Sequence, residues 1–151
     1  MAYLSHMAKT KRQEIEPAPT ERSDSAQAEI TDAETGALLR AFFNLAGRWD
    51  LNDREAQILL GRPAPRTFAR WKANEADLSR IPHDTRQRLS MLMGIHKGLR
   101  HMFREAERGY QWMRKPNLAF GGQSALERLL AGEIVDLAAV RTYLDAERGG
   151  W

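Results

Sequence analysis

The stretch Gly109–Gly132, GYQWMRKPNLAFGGQSALERLLAG, decides how this chain folds. It reads as a helix end with aromatic anchors, a Pro-Asn stop, a glycine turn and a second, capped helix. A residue before proline is pushed out of the helical region, so a helix through Glu105–Arg114 stops ahead of Pro116. Gly121-Gly122 makes the turn. Ser124-x-x-Glu127 has capping-box spacing, Leu126, Leu129 and Leu130 follow it, and Gly132 ends the helix. Tyr110 and Trp112 are core candidates, and the loop Lys115–Gly122 is expected to expose Asn117 and Phe120, as loops on a rigid scaffold commonly carry recognition. These residues specify a shape rather than a reaction.

Outward from this stretch the chain keeps the helical period. Asp84-x-x-Gln87 predicts the cap of a long helix to about Phe103, and Glu105–Arg114 follows as a further helix. Leu89, Leu92, Met93, His96, Leu99 and Phe103 form one apolar stripe, with His96 expected as a hydrogen-bonded core residue. Met91, Ile95 and Met102, with Gly98, form a second. A helix apolar on two faces needs two neighbours, and the second face suggests another subunit, which makes Met91, Ile95, Gly98 and Met102 the candidate dimer interface. Arg80, Arg86, Arg88, Lys97, Arg100 and Arg104 read mostly as this helix's solvated side, with a few of them able to extend a phosphate contact. Downstream, a last helix over about Glu133–Arg148 carries Ile134, Leu137, Ala138 and Leu144 on one face and leads to Gly149-Gly150-Trp151. A terminal Trp is either a frayed end or an anchor for a partner's cleft.

The N-terminal half repeats the same punctuation more tightly. Thr31-x-x-Glu34 and Asn52-x-x-Glu55 are capping boxes, Gly61 provides a left-handed stop, and Pro65 suits the first position of a third helix. That helix places Phe68 and Trp71 on one face and Arg66, Thr67, Arg70 and Asn74 on the other, with Arg62 and Lys72 flanking. There is no acid between Glu55 and Glu75. Three short helices with a tight glycine turn make a helix-turn-helix, and an arginine-bearing outer face suits guanine edges and phosphates. Arg62, Arg66, Thr67, Arg70, Lys72 and Asn74 are therefore the candidate DNA-binding residues; the alternative is a plain three-helix bundle with a solvated basic face.

Composition bounds the rest. The chain has 151 residues, a formal charge of +3, a pI near 9.5 and no cysteine, which excludes disulfides, thiolate metal sites and cysteine nucleophiles. No apolar run is long enough to cross a bilayer and no signal-peptide pattern opens the chain, so the expectation is a cytoplasmic protein with no membrane contact. The histidines His6, His83, His96 and His101 do not pair at metal spacing, and no catalytic residue, metal site or cofactor is expected. Residues 1–30 read as a flexible arm. Ser5-His6-Met7 has the form of a cloning scar, which would make Met7 the natural start. With no strand pattern, the fold class is all-α: arm 1–30, helix-turn-helix 31–78, and a small helical domain 79–151.

The run from Asp84 through Trp112, Pro116-Asn117, Gly122, Ser124, Leu126, Leu130 and Gly132 to Leu144 and Gly149 resembles the toxin-binding domain of Xre/MbcA/ParS-type antitoxins. Leu39–Asn74 resembles the Xre-like helix-turn-helix that precedes it in RES–Xre toxin–antitoxin pairs. Ala125, where the family often has proline, and Gly109, where alanine is commoner, depart from the pattern. The resemblance implies a non-catalytic antitoxin. Its partner would be a RES-domain toxin that degrades NAD, its C-terminal part would cover the toxin's active site, and it would bind its own promoter DNA as a homodimer. The implied toxin-binding residues are Tyr143, Leu144, Glu147, Arg148, Gly149, Gly150 and Trp151. Two rivals keep the same architecture: a dimeric transcription regulator without a toxin partner, and a scaffold or polar-localisation adaptor. The neighbouring reading frame separates them.

Overall fold

The computed structural model describes residues 29–149; the expected arm, up to residue 28, and Gly150-Trp151 lie outside the described residues. Helix α1 (Asp32–Arg48) opens on a full capping box: the Thr31 hydroxyl accepts the Glu34 amide at 3.1 Å, and the Glu34 carboxylate accepts the Thr31 amide at 3.0 Å. Helix α2 (Asp53–Leu59) repeats it with Asn52 and Glu55, at 2.8 and 3.0 Å. Such a capping side chain stabilises a helix by about 1 kcal/mol. Helix α3 (Pro65–Lys72) has no side-chain cap and starts on Pro65, whose missing N–H would have been unpaired there anyway.

All three helices stop by one device. A left-handed residue follows the C-cap, at Asp50 (φ 55°), Gly61 (φ 94°) and Asn74 (φ 60°). The next amide then bonds back to the last turn: Leu51 to Ala46, Arg62 to Gln57 and Glu75 to Arg70, at 2.9, 2.8 and 2.9 Å. This corrects the placement of Asn74. It is the stop of α3, two residues beyond Lys72, and is not on the helix's outer face. Asparagine tolerates the left-handed conformation that ends a helix, and that local preference overrides the 100° period.

A 3-10 turn, Leu78–Arg80, leads into helix α4 (His83–Met102). The expected Asp84–Gln87 box does not form. The helix starts earlier, after Pro82, so Asp84 sits inside the first turn and its carboxylate pairs with Arg88 at 2.8 Å. Helix α4 ends where expected: Phe103 is extended (φ −119°, ψ 121°), the chain turns there, and helix α5 (Ala106–Arg114) follows. The break brings α5 back over the end of α4, and a Cβ on Gly109 would lie 3.4 Å from the Phe103 ring.

A second 3-10 turn, Leu118–Phe120, helix α6 (Ala125–Leu130) and helix α7 (Ile134–Gly149) complete the fold. The Ser124 hydroxyl caps α6 by accepting the Glu127 amide at 3.0 Å. The fold is all-α: among the described residues there are seven α-helices, no strand, and one isolated bridge, between Pro116 and Ser124.

Helix α4 lies between α1 and α7, and its most extensive packing is with α7. Leu89, Leu92 and Ile95 of α4 meet a core that includes Leu137, Val140 and Leu144 of α7, all fully buried. Burying such side chains stabilises the fold by about 1.5–3 kcal/mol each. Gly98 makes the contact possible, because a Cβ there would stand 3.0 Å from the Leu144 Cβ. The candidate dimer interface is corrected accordingly. Ile95 and Gly98 are sealed within the chain, and Met91 and Met102 are half-buried against the same core. The second neighbour of α4 is α7 of its own chain.

Candidate functional site

Two surfaces carry the candidate residues. The first surrounds α3, whose Phe68 and Trp71 are buried and fix the helix to the core. Arg66 and Arg70 are exposed, Thr67 is half-buried, and neither arginine has an ion pair among the described residues. Lys72 is exposed but engaged: its ammonium donates to Asp53 at the start of α2, at 2.8 Å. Arg62 follows Gly61 in the turn between α2 and α3 with φ 58°. Its guanidinium leans toward the α6–α7 turn, 3.4 Å from the Ala131 carbonyl oxygen and 3.9 Å from the Glu133 carboxylate.

Beside α3 opens a cleft of about 480 Å³, between the α2–α3 turn, the 3-10 turn Leu78–Arg80 and the start of α4. Arg62, Thr67, Arg70, Asp77 and Arg80 contribute its polar lining. The Asp77 carboxylate accepts from both the amide and the hydroxyl of Ser79, and lies 3.5 Å from the Arg80 Nε. The Ser79 hydroxyl bond above all, helped by Arg80 and Arg70, holds that carboxyl below the usual carboxylate range. Arg80, one of the basic residues for which a solvated face and an extended phosphate contact are both open from sequence, lines this cleft. The turn that aims it at the cleft starts from the Asp77-x-Ser79 hydrogen bonds, a local signal visible in the sequence.

Arg86 and Arg88 are not on a solvated side, and that expectation is corrected too. Arg86 donates to the carbonyl oxygens of Ile30, Leu78 and Ile81 and pairs with Asp32 at 2.7 Å. Arg88 is 6% exposed and donates to the carbonyl oxygens of Gly132, at 2.7 Å, and Ile58, at 3.4 Å. It thus links α2, α4 and the α6–α7 turn. Its sequence signal was Asp84 at i−4, a favourable spacing for an ion pair.

The second surface is at the chain's end. Trp112 of α5 stacks on Tyr143 of α7 (centroids 5.8 Å apart, planes at 13°), and Phe120 packs edge-on against Tyr143 at 5.3 Å. Tyr143 is therefore half-buried in an aromatic cluster, and Leu144 is fully buried, which removes Leu144 from the candidate contact residues. Glu147, Arg148 and Gly149 are exposed, with Glu147 and Arg148 facing His101 and Met102 across a cleft of about 360 Å³. Gly150 and Trp151 lie outside the described residues. In the preceding loop the expected exposure is reversed: Phe120 is buried and the half-buried Asn117 caps the 3-10 turn through the Ala119 amide, whereas Leu118 is 93% exposed. Every-third-residue pairing in a 3-10 turn makes one side chain the inward anchor, and the larger ring takes that place.

His96 is also corrected. It is half-buried, but its Nδ1 has no hydrogen-bond partner. Burial, with Arg100 and Arg48 nearby, lowers its pKa below the ordinary value. No three His, Asp or Glu side chains of the described residues are grouped to hold a metal ion, and no described helix is long and apolar enough to cross a membrane.

Two family models match the chain in succession. The antitoxin Xre-like helix-turn-helix domain matches residues 28–94, and the antitoxin Xre/MbcA/ParS C-terminal toxin-binding domain matches residues 98–150. The junction between the two matches falls inside α4. Among curated proteins, the uncharacterized protein y4oB of Sinorhizobium fredii (strain NBRC 101917 / NGR234) is 46% identical over 118 residues, covering 78% of this chain and 89% of that one. No solved structure matches the chain.

Proposed function

The chain belongs to the Xre/MbcA/ParS-type antitoxins, and on that premise we propose that it neutralises a RES-domain, NAD-degrading toxin by occluding the toxin's active site with its C-terminal end. The observation that carries the proposal is the end of α7. Glu147, Arg148 and Gly149 are exposed on a helix whose preceding turns are locked by Leu144 and the Trp112–Tyr143 stack. A short charged segment on a rigid base loses little conformational freedom when it enters a cleft. Gly150 and Trp151 follow directly, and the indole would be the apolar anchor.

The same chain binds its own promoter through α3 and represses it, as a homodimer. Arg66, Thr67 and Arg70 meet the duplex. Lys72, held by Asp53, and Asn74, held in the stop of α3, contribute less. The dimer contact lies away from Ile95 and Gly98, which α7 covers.

Co-expression of the chain with the toxin from the adjacent reading frame, followed by purification and a NAD-consumption assay, tests the first role. Deleting Glu147–Trp151 is expected to restore NAD consumption while leaving the thermal midpoint and DNA binding at wild-type values. Full inhibition by the truncated protein would exclude occlusion by the tail. Light scattering of the free protein tests the dimer.

A further inference from the structure

We propose that the cleft beside α3 is a seat for a DNA backbone phosphate, gripped by Arg70 and Arg80 with Arg62 at its rim, a role that rests on the DNA-binding reading above. Three arginines from three chain segments line it: Arg70 from α3, Arg80 from the 3-10 turn, and, at the rim with its guanidinium turned toward the α6–α7 turn, Arg62 from the α2–α3 turn. One carboxylate, Asp77, opposes them within the cleft. One of its oxygens is taken up by Ser79 and the other faces the Arg80 Nε, so the Arg80 side chain, 87% exposed, has no other ion-pair partner among the described residues. Glu133 touches only Arg62, at 3.9 Å and from outside the lining. The balance is cationic, and the wall behind it includes the buried Trp71. Charge of one sign against a low-dielectric wall focuses the field on whatever enters.

The chemistry and the position both select a phosphodiester. A guanidinium fork donates two parallel bonds to phosphate oxygens, and the half-buried Thr67 hydroxyl is a further donor on the same wall. About 480 Å³ exceeds what a bare phosphate fills and leaves room for the adjoining sugar. Thr67 and Arg70 belong to α3 itself, so a group in the cleft is continuous with a duplex lying along that helix. A phosphate held there would fix the register in which Arg66 reaches base edges, the division of labour by which backbone contacts position and base contacts specify.

The test uses the full-length protein with its own promoter duplex and an unrelated duplex, titrated by fluorescence anisotropy over a series of salt concentrations. Arg80→Ala is expected to weaken both complexes by the same factor, about tenfold at low salt, and to reduce the slope of log K against log salt by about 1. Its thermal midpoint should match wild type, because Asp77 keeps its bonds to Ser79. Arg66→Ala is expected to act mainly on the promoter duplex. A single methylphosphonate, which removes one phosphate charge, should at one backbone position erase the difference between wild type and Arg80→Ala. If Arg80→Ala leaves affinity and slope unchanged while Arg66→Ala weakens promoter binding, the cleft is no phosphate seat and the DNA-binding reading stands. If AMP saturates the cleft, losing affinity in Arg80→Ala while duplex binding does not change, the occupant is a free nucleotide and the proposal is overturned. If the wild-type protein binds neither duplex, the DNA-binding reading fails and the seat with it.

Discussion

The outer face of α3 and the seam between α4 and α7 were singled out by the same rule, side-chain position around a helix, yet they have opposite fates. On α3, Arg66 and Arg70 stand in solvent. In the seam, Ile95 and Leu144 are fully buried and Gly98 is closed over by Leu144. The difference lies in how many neighbours each helix must have. Helix α3 has eight residues and two buried anchors, Phe68 and Trp71, both on one face, so one contact satisfies it and the rest stays free. Helix α4 has twenty residues and two apolar stripes, so it needs two neighbours. Periodicity counts those neighbours correctly but says nothing about whether they come from the same chain.

The most destructive test of this contrast is Leu144→Ala. If Leu144 is core, the truncation leaves a cavity under Gly98 and lowers stability by about 2–5 kcal/mol, read as a fall in the urea midpoint. A Leu144 that served a partner instead would give an unchanged midpoint with weakened toxin capture, and the seam would have to be reassigned as a surface. Arg88→Met should rank next. It removes the donor for the Gly132 and Ile58 carbonyl oxygens from a site 6% exposed, at a cost of about 1–3 kcal/mol. Hydrogen exchange should quicken at the α6–α7 turn and in the turn carrying Arg62 together, since Arg88 bridges both.

How much was legible in the sequence follows from how local each signal is. Thr31, Asn52 and Ser124 bond within three residues, and all three caps formed where their spacing placed them. The glycine stops at Gly61 and Gly132 and the halt before Pro116 are equally local. The misreadings needed information from afar. Arg86 and Arg88 look like surface charges until the carbonyl oxygens of Ile30, Ile58 and Gly132 are brought to them. Asp84 is a different case, a conflict between local signals: its spacing to Gln87 fits a cap, but Pro82 sets the helix start earlier and Arg88 takes the carboxylate. At the candidate site, the arginines of α3 were visible from composition alone. Arg80 was legible only as one of several cations that could extend a phosphate contact, and the three-residue 3-10 turn after Asp77 is what singles it out.

His96 sharpens the contrast at a smaller scale. Its ring is on the α1 side of α4, lining a small cleft with Asn44, Arg48 and Met93, with its Nδ1 unpartnered. Desolvation lowers its pKa in the folded state from the ordinary 6.5, and the charges of Arg100 and Arg48 add to the effect. The unfolded chain then binds the proton more readily than the folded one, so the penalty is absent above pH 6.5 and grows as pH falls below it. The wild-type midpoint should drop between neutral and mildly acidic pH more than that of His96→Gln. Parallel curves would mean that the ring is as well solvated folded as unfolded.

The smallest expected effect separates the two cations at the end of α3. Lys72 and Asp53 form an exposed pair at 2.8 Å, with side chains 54% and 68% exposed, and such pairs contribute about 0–1 kcal/mol. Lys72→Ala should therefore leave the urea midpoint almost unchanged. Its effect on DNA discriminates more. A lysine already neutralised by Asp53 releases fewer counterions from a duplex than a free arginine does, so Lys72→Ala should reduce the salt slope by less than Arg70→Ala. Asp53→Asn frees the ammonium while retaining a polar neighbour, and it should raise affinity for promoter and unrelated duplexes alike. If Lys72→Ala instead matches Arg70→Ala in slope, DNA displaces Asp53 from Lys72 on binding. The outer face of α3 would then extend to its last residue, and the boundary between a helix that reads DNA and one that only supports it would move by half a turn.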